Sequence, residues 1–335
     1  MRRATWATCS AACSPDRGSE RKTLVAAFEH EPVLAAEVIE WLRPEGRGIW
    51  IDGTLGGGGH AEALLRANPE ARVIGIDRDP DALAAARRRL APWAERTTLL
   101  NGDFRDAAAI AASETETMPV RGAMLDLGVS SYQLDEVGRG FSFRRSTPLD
   151  MRMGGTAGGR RTAADILNET SEDELGRIFR DYGEERRWRA LASEIVKRRA
   201  TEPFETSDHF VAACTVVLGG GLGAATKARL FQALRIAVND ELGALEGALP
   251  AIRDALASRG RMVVIAYHSL EDRIVKHAFR EWSRDCVCPP ELPVCRCRGR
   301  ALGEVLTRRP VRPAPDELER NPRSRSARLR AWERA

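Results

Sequence analysis

Four short apolar runs, each closing on an aspartate, recur between residues 48 and 127 and constrain the fold more than any other feature. Gly48-Ile49-Trp50-Ile51 ends at Asp52, and Arg72–Ile76 ends at Asp77. Thr97–Gly102 ends at Asp103, and Ala123-Met124-Leu125 ends at Asp126. The aspartates stand 25, 26 and 23 residues apart, room for one strand and one helix per repeat. The intervening segments are Ala-rich and Arg-studded, as in Pro80–Leu90, where Asp79 and Pro80 form an N-cap and first-turn pair. Strand, helix, strand at this period predicts right-handed βαβ units around a parallel sheet. Ligands of such sheets sit beyond the carboxyl ends of the strands, so all four aspartates are expected at one rim.

The first strand opens into Asp52-Gly53-Thr54-Leu55-Gly56-Gly57-Gly58-Gly59-His60. Residues without a Cβ let the backbone turn tightly and approach a ligand closely. No Gly-Lys-Ser/Thr follows, which excludes a Walker phosphate loop. Gly56-x-Gly58-x-x-Ala61 fits a dinucleotide fingerprint loosely, with Asp77 placed for ribose hydroxyls. On that match alone a nicotinamide-dependent dehydrogenase competes. Converging carboxylates would repel a pyrophosphate, whereas they would stabilise the sulfonium and ammonium of S-adenosylmethionine. Asp103-Phe104 would then supply an edge and an apolar face for adenine. Taken singly, each aspartate is better explained as a helix N-cap; the argument rests on four in register.

Beyond Asp126 the chain turns irregular through Leu127–Asp135, Arg139–Phe143 and Pro148–Met153, which reads as loops over the mouth of a cavity. Thr162 to about Leu218 is helical, with Ser171–Glu174 as a capping box ahead of Leu175, Ile178 and Phe179. Its basic residues Arg186, Arg187, Arg189, Lys197, Arg198 and Arg199 suit phosphates, although a solvated helix face explains such charges more simply. These features predict an inserted all-helical unit over residues 135–225, flanked by halves of one α/β domain at 24–134 and 226–335. Lys227–Ala257 reads as one long helix, followed by a fifth strand, Met262–Tyr267, that closes on His268 and Ser269. His268 is a candidate proton acceptor, or a capping histidine. Val305–Thr307 and Ala327–Trp332 are expected to close the sheet as two further strands.

With 43% hydrophobic residues the chain can build a core, and its longest uncharged run, Phe210–Thr226, carries four glycines and is too short for a membrane span. The net charge of +4 hides an asymmetry: from Arg296 onward there are twelve Arg against five acids. A cationic segment on a near-neutral body suits a polyanion such as RNA. Only four of the 52 basic residues are Lys, so the Arg bias could equally follow base composition. Seven cysteines and no secretory leader point to a reducing, cytoplasmic setting, and residues 1–23 read as a disordered tail. Cys286-x-Cys288 and Cys295-x-Cys297 could bind a structural tetrahedral Zn. The usual knuckle spacing is Cys-x-x-Cys, so four reduced cysteines in a loop weigh slightly more.

From His30 to Arg334 the chain resembles the bacterial 16S rRNA (cytosine-N(4))-methyltransferases of the MraW or RsmH type. The resemblance rests on Asp52–His60, Gly75–Pro80, Asp126–Ser131, Arg139–Phe143, Pro148–Met153, Tyr182–Arg186, Phe231–Leu242, His268–Lys276 and Asn321–Arg330. It implies a class I methyltransferase, a Rossmann-like mostly parallel sheet with an inserted helical substrate domain. It also implies methyl transfer from S-adenosylmethionine to the N(4) amine of a cytosine in the decoding region of 16S rRNA, in the small ribosomal subunit. The family's cofactor contacts carry over onto Gly58, Gly59, His60, Asp77, Phe104, Asp126 and Gln133. Two departures stand out: Tyr132 replaces the proline that usually precedes the Gln, and Ala225-Thr226-Lys227 replaces a His-Pro pair. The Asp/Ser-Pro-Pro-aromatic motif of other amino-methyltransferases is missing after the fourth strand, leaving Ser130, Ser131, His268 and Ser269 as catalytic candidates beside Asp126. The target base must leave its stack to be reached, and Tyr132, Phe141 and Phe143 are candidates to receive it, or are local core. A ribosome-assembly factor that keeps the fold without turnover is the alternative.

Overall fold

The computed structural model describes residues 31–114, 118–129, 137–141, 146–155, 160–219, 222–289, 294 and 296–335. The expectations for residues 1–23 and for Ser130, Ser131, Tyr132, Gln133, Phe143 and Cys295 lie outside them.

The apolar runs become strands β1 (Gly48–Asp52), β2 (Ala71–Asp77), β3 (Thr97–Asn101), β4 (Val120–Asp126) and β5 (Leu256–Ala266). Two more, β6 (Gly303–Val305) and β7 (Arg328–Arg334), complete one sheet in the order β3-β2-β1-β4-β5-β7-β6. The first five run parallel, and β7 is antiparallel to both β5 and β6. This is the sheet expected of a class I methyltransferase. The strands read as near-continuous apolar runs because helices cover both faces. Helices α1 (Ala35–Leu42), α2 (Gly59–Ala67) and α3 (Pro80–Arg89) pack around Trp50, Val73, Met124 and Val263 on one side. Asp79 caps α3 as expected, its side chain accepting from the Asp81 N–H. The opposite face carries α4 (Ala107–Glu114).

Helices α5 (Ala163–Glu169), α6 (Glu172–Arg177), α7 (Trp188–Arg199) and α8 (Ser207–Leu218) lie between β4 and β5 in sequence. They share a separate core with α9 (Ala224–Asn239), built on Phe179, Phe204, Phe210 and Phe231. Phe141 belongs to that core, so of its two readings the structure takes local packing. Leu149 and Met151 are buried there too, which ties down a stretch that reads as loop.

The expected single helix Lys227–Ala257 is two. It breaks at Asp240, whose backbone is left-handed (φ 51°, ψ 46°), and α10 (Glu241–Ala255) departs onto the sheet. The break persists because Asn239 is fully engaged. Its side chain accepts from Met153 N at 2.9 Å and donates to Met151 O at 2.8 Å and Arg235 O at 2.9 Å. Helices α11 (Ser269–Trp282) and α12 (Pro315–Arg320) complete the chain, and Trp282 packs edge-on against Trp332 of β7 at 5.2 Å. Among the described residues no helix is long and apolar enough to cross a membrane.

Candidate active site

Strand order reverses between β1 and β4, and a crevice opens at such a switch point beyond the strand ends. The glycine turn after β1 folds over the end of β2: the Gly56 N–H donates to Asp77 Oδ2 at 2.7 Å, and the Asp79 N–H to Asp77 Oδ1 at 2.8 Å. Gly56 (φ 51°) and Gly58 (φ 80°) adopt left-handed conformations that a side chain would strain. A Cβ at Gly58 would also stand 3.2 Å from Leu90, so this glycine lets α2 start close against α3. Burial pushes the Asp77 carboxyl upward, against the two N–H donors.

Next to it Asp52 and Asp126 share a dry corner. Asp52 accepts from Thr54 N at 3.2 Å through Oδ1, while its buried Oδ2 has no partner. Burial pushes its carboxyl up to about 7, opposed by the His60 charge and the Thr54 N–H. Asp126 accepts from the Tyr267 hydroxyl at 2.8 Å, and its backbone N–H donates to Thr54 Oγ1 at 2.6 Å. Its carboxyl is likewise raised by burial, with His60 and Tyr267 opposing. His60 Nε2 donates to the Val33 carbonyl at 2.8 Å, since a carbonyl can only accept. That fixes Nδ1 towards Asp126 Oδ2, 3.9 Å away.

The far wall joins the two halves of the molecule. Arg235, at the end of α9, grips Glu241, at the start of α10, through two bonds of 2.9 and 2.8 Å. His268 caps α11, its Nδ1 accepting from Glu271 N at 3.4 Å, and Glu271 accepts from Tyr267 N at 2.9 Å. Burial alone would push the Glu271 carboxyl up, but the neighbouring His268 ring and Arg235 guanidinium hold it below its ordinary value. Arg139 ties the helical layer to the rim, donating to Asp79 Oδ2 at 2.9 Å and Met153 O at 2.7 Å. These walls enclose a cavity of about 400 Å³, within the range of cofactor sites.

A family model for the MraW methylase family matches residues 27–335. The chain belongs to that family. Among its curated relatives, the ribosomal RNA small subunit methyltransferase H of Heliobacterium modesticaldum is 49% identical over 311 residues, 92% of this chain and 99% of that protein. The protein of the same name from Gemmatimonas aurantiaca is 50% identical over 307 residues, 91% of this chain and 95% of its own. S-adenosylmethionine is the methyl donor of this methylase family.

The residues present suit that donor. Gly59, His60, Asp77, Phe104 and Asp126 all line the cavity, the aspartates with desolvated carboxylates. Asp52 lies just behind, with an oxygen still lacking a donor. Gly58 is not part of the lining; its contact with Leu90 accounts for it. Asp103 departs from the expected rim. It ion-pairs with Arg78 and lies 3.5 Å from Arg105 and 3.7 Å from Arg160, so it is neutralised outside the cavity. His268 and Ser269 stand at the cap of α11, and neither lines the cavity.

Sequence reasoning missed Tyr267, Arg235 and Glu241, whereas Glu271 follows the fifth strand edge, expected to deliver polar groups to this side of the sheet. Tyr267 could have been found as the last residue of the fifth apolar run, placed as the aspartates are in theirs. The Arg235–Glu241 pair had no local signal, because it depends on the break at Asp240.

The expected cationic segment after Arg296 is partly structural. Arg330 pairs with Asp272 at 2.6 Å, and Arg298 and Arg334 donate to backbone carbonyls. Arg308, Arg309, Arg312 and Arg325 remain exposed. In the helical layer Arg198 pairs with Glu194 and Arg199 caps Leu167 and Thr170, whereas Arg186, Arg187, Arg189 and Lys197 are exposed.

Proposed function

We propose that this protein methylates the exocyclic N(4) amine of a cytosine in the decoding region of 16S rRNA, acting in the cytoplasm on the small ribosomal subunit. The observation that carries the reading is the convergence of Asp77, Asp126 and Phe104 on one cavity at the sheet's switch point, in an MraW methylase. S-adenosylmethionine, when bound, supplies an electrophilic methyl group. Asp77 holds the ribose hydroxyls, the Phe104 face takes adenine, and Gly59 and His60 line the turn beneath. On packing grounds the substrate unit extends through α9 to Asn239, past the 135–225 read from sequence, because α9 shares the helical core.

A cytosine amine is a weak nucleophile, since its lone pair is delocalised into the ring, so positioning and hydrogen-bond acceptors carry most of the catalysis. The amine gains positive charge as it is alkylated and must then lose a proton. Asp126 is the acceptor we assign to it. Its carboxylate is desolvated, and one oxygen is fixed by Tyr267. The exposed arginines at 308, 309, 312 and 325 are placed to meet phosphates, which position the RNA without reading its sequence.

Tritium transfer from labelled S-adenosylmethionine to small subunits from a strain lacking this enzyme tests the assignment, with the modified nucleotide mapped by mass spectrometry. One methyl per subunit on N(4) of a decoding-region cytosine is expected. Methylation elsewhere, or subunit binding without transfer, would overturn it.

Tyr267→Phe removes a hydroxyl whose hydrogen bond favours the ionised form of Asp126 against the upward push of burial. The acidic limb of the activity–pH profile is expected to move to higher pH, with kcat on that limb falling by roughly tenfold, the worth of one hydrogen bond to a charged group. An unmoved profile would place the reaction's acceptor elsewhere.

A further inference from the structure

The segment 286–300, between α11 and β6, takes no part in the cavity with any described residue. Three of its cysteines nevertheless converge. The Sγ atoms of Cys286, Cys288 and Cys297 lie within 4.8 Å of one another, and those of Cys286 and Cys297 are 3.8 Å apart. A disulfide would bring two sulfurs to about 2.05 Å. The edge of a tetrahedron with zinc–sulfur bonds of 2.3 Å is about 3.8 Å, which is the spacing found.

The backbone supports the same reading. The Val287 N–H donates to Cys297 Sγ and the Arg296 N–H to Cys288 Sγ, each at 3.4 Å. Each Cys-x-Cys pair thus offers an N–H to a sulfur of the other. Backbone N–H donors aimed at sulfur form the outer shell of thiolate–metal sites. Charge agrees as well. Residues 284–300 carry four arginines against Asp285 and Glu291, a surplus of two positive charges, while a divalent ion held by three thiolates carries one negative charge. Cys286 is exposed and Val294 is 67% exposed, so neither is held by an apolar core.

We infer that Cys286, Cys288 and Cys297 bind a zinc ion that staples this basic loop to the end of α11. The ion has no role in methyl transfer. Its fourth position falls to water or a further sulfur.

The test is the metal content of the full chain, purified reduced and without metal-affinity media. About one Zn²⁺ per chain is expected in the parent, falling below about a fifth in Cys286→Ser and Cys297→Ser. Cys214→Ser, at a thiol buried in the helical core, keeps its zinc. Should the serine variants misfold, cobalt loaded into the parent decides the matter through the sulfur-to-metal charge-transfer and strong visible bands of tetrahedral thiolate coordination. Below about a tenth of an equivalent of zinc with no cobalt bands in the reduced parent, or a Cys286–Cys297 disulfide in protein alkylated at lysis, would overturn the site.

Discussion

Asp77→Ala and Asp126→Ala are each expected to weaken S-adenosylmethionine binding by at least roughly a hundredfold in isothermal titration, the cost of losing a buried, hydrogen-bonded charge. The two fail for different reasons. Asp77 holds the glycine turn and the start of α3 together through Gly56 N and Asp79 N, so its loss loosens the turn as well as removing the proposed ribose acceptor. Among the described residues the Asp126 carboxylate holds no backbone group; it meets Tyr267 and faces His60. Its loss removes negative charge with little rearrangement, and the variant should melt close to the parent. Asp126→Asn sharpens the point, keeping shape and an acceptor for Tyr267 while removing the charge. If both alanine variants bound the cofactor like the parent, the site would be misassigned.

Asp52→Asn is expected to stabilise the protein most at pH 8 and markedly less at pH 5. The Asp52 carboxyl climbs from 3.8 to about 7 on folding, chiefly through burial. A raised carboxyl favours the folded state most when protonated in it, at low pH. That advantage declines as pH rises from about 4 and is gone above about 7, where a buried charge with an unpartnered oxygen remains. Three pH units correspond to roughly 4 kcal/mol as an upper bound. An amide keeps the Thr54 bond without the charge. Melting curves at pH 5 and pH 8 check this: the gap between variant and parent should already exist at pH 5 and be much wider at pH 8. A melting gain at pH 8 accompanied by weaker cofactor binding would mean that this stored cost serves the site, because a cation bound nearby would stabilise the ionised form. Cofactor affinity should then fall as pH drops through 7.

Much of the sheet was legible because parallel strands covered on both faces are written as unbroken apolar runs, and because Asp79-Pro80 announces its helix in two residues. Three of the four strand-end aspartates reach the same corner for that reason. Asp103 does not, since it is drawn into an ion pair with Arg78, next to Asp77 at the end of β2, with Arg105 and Arg160 nearby, and that pairing exists only once β2 and β3 lie side by side. The break at Asp240 was hidden similarly. Nothing in Val238-Asn239-Asp240-Glu241 stops a helix strongly, and what stops it is the Asn239 clamp on Met151 and Met153, far away in sequence. The Tyr267–Asp126 bond spans 141 residues and appears only when β4 and β5 lie side by side.

The placement of β7 has a consequence for biosynthesis. It lies between β5 and β6 although it is the last strand in sequence, about sixty residues beyond β5. Until it emerges from the ribosome, Met262–Ile265 present an unpaired apolar border, the kind that recruits neighbouring nascent chains. At typical elongation speeds that window lasts on the order of 3–12 s. A ribosome stalled before Arg328 would leave that border open, so the sheet's maturation is timed by translation itself.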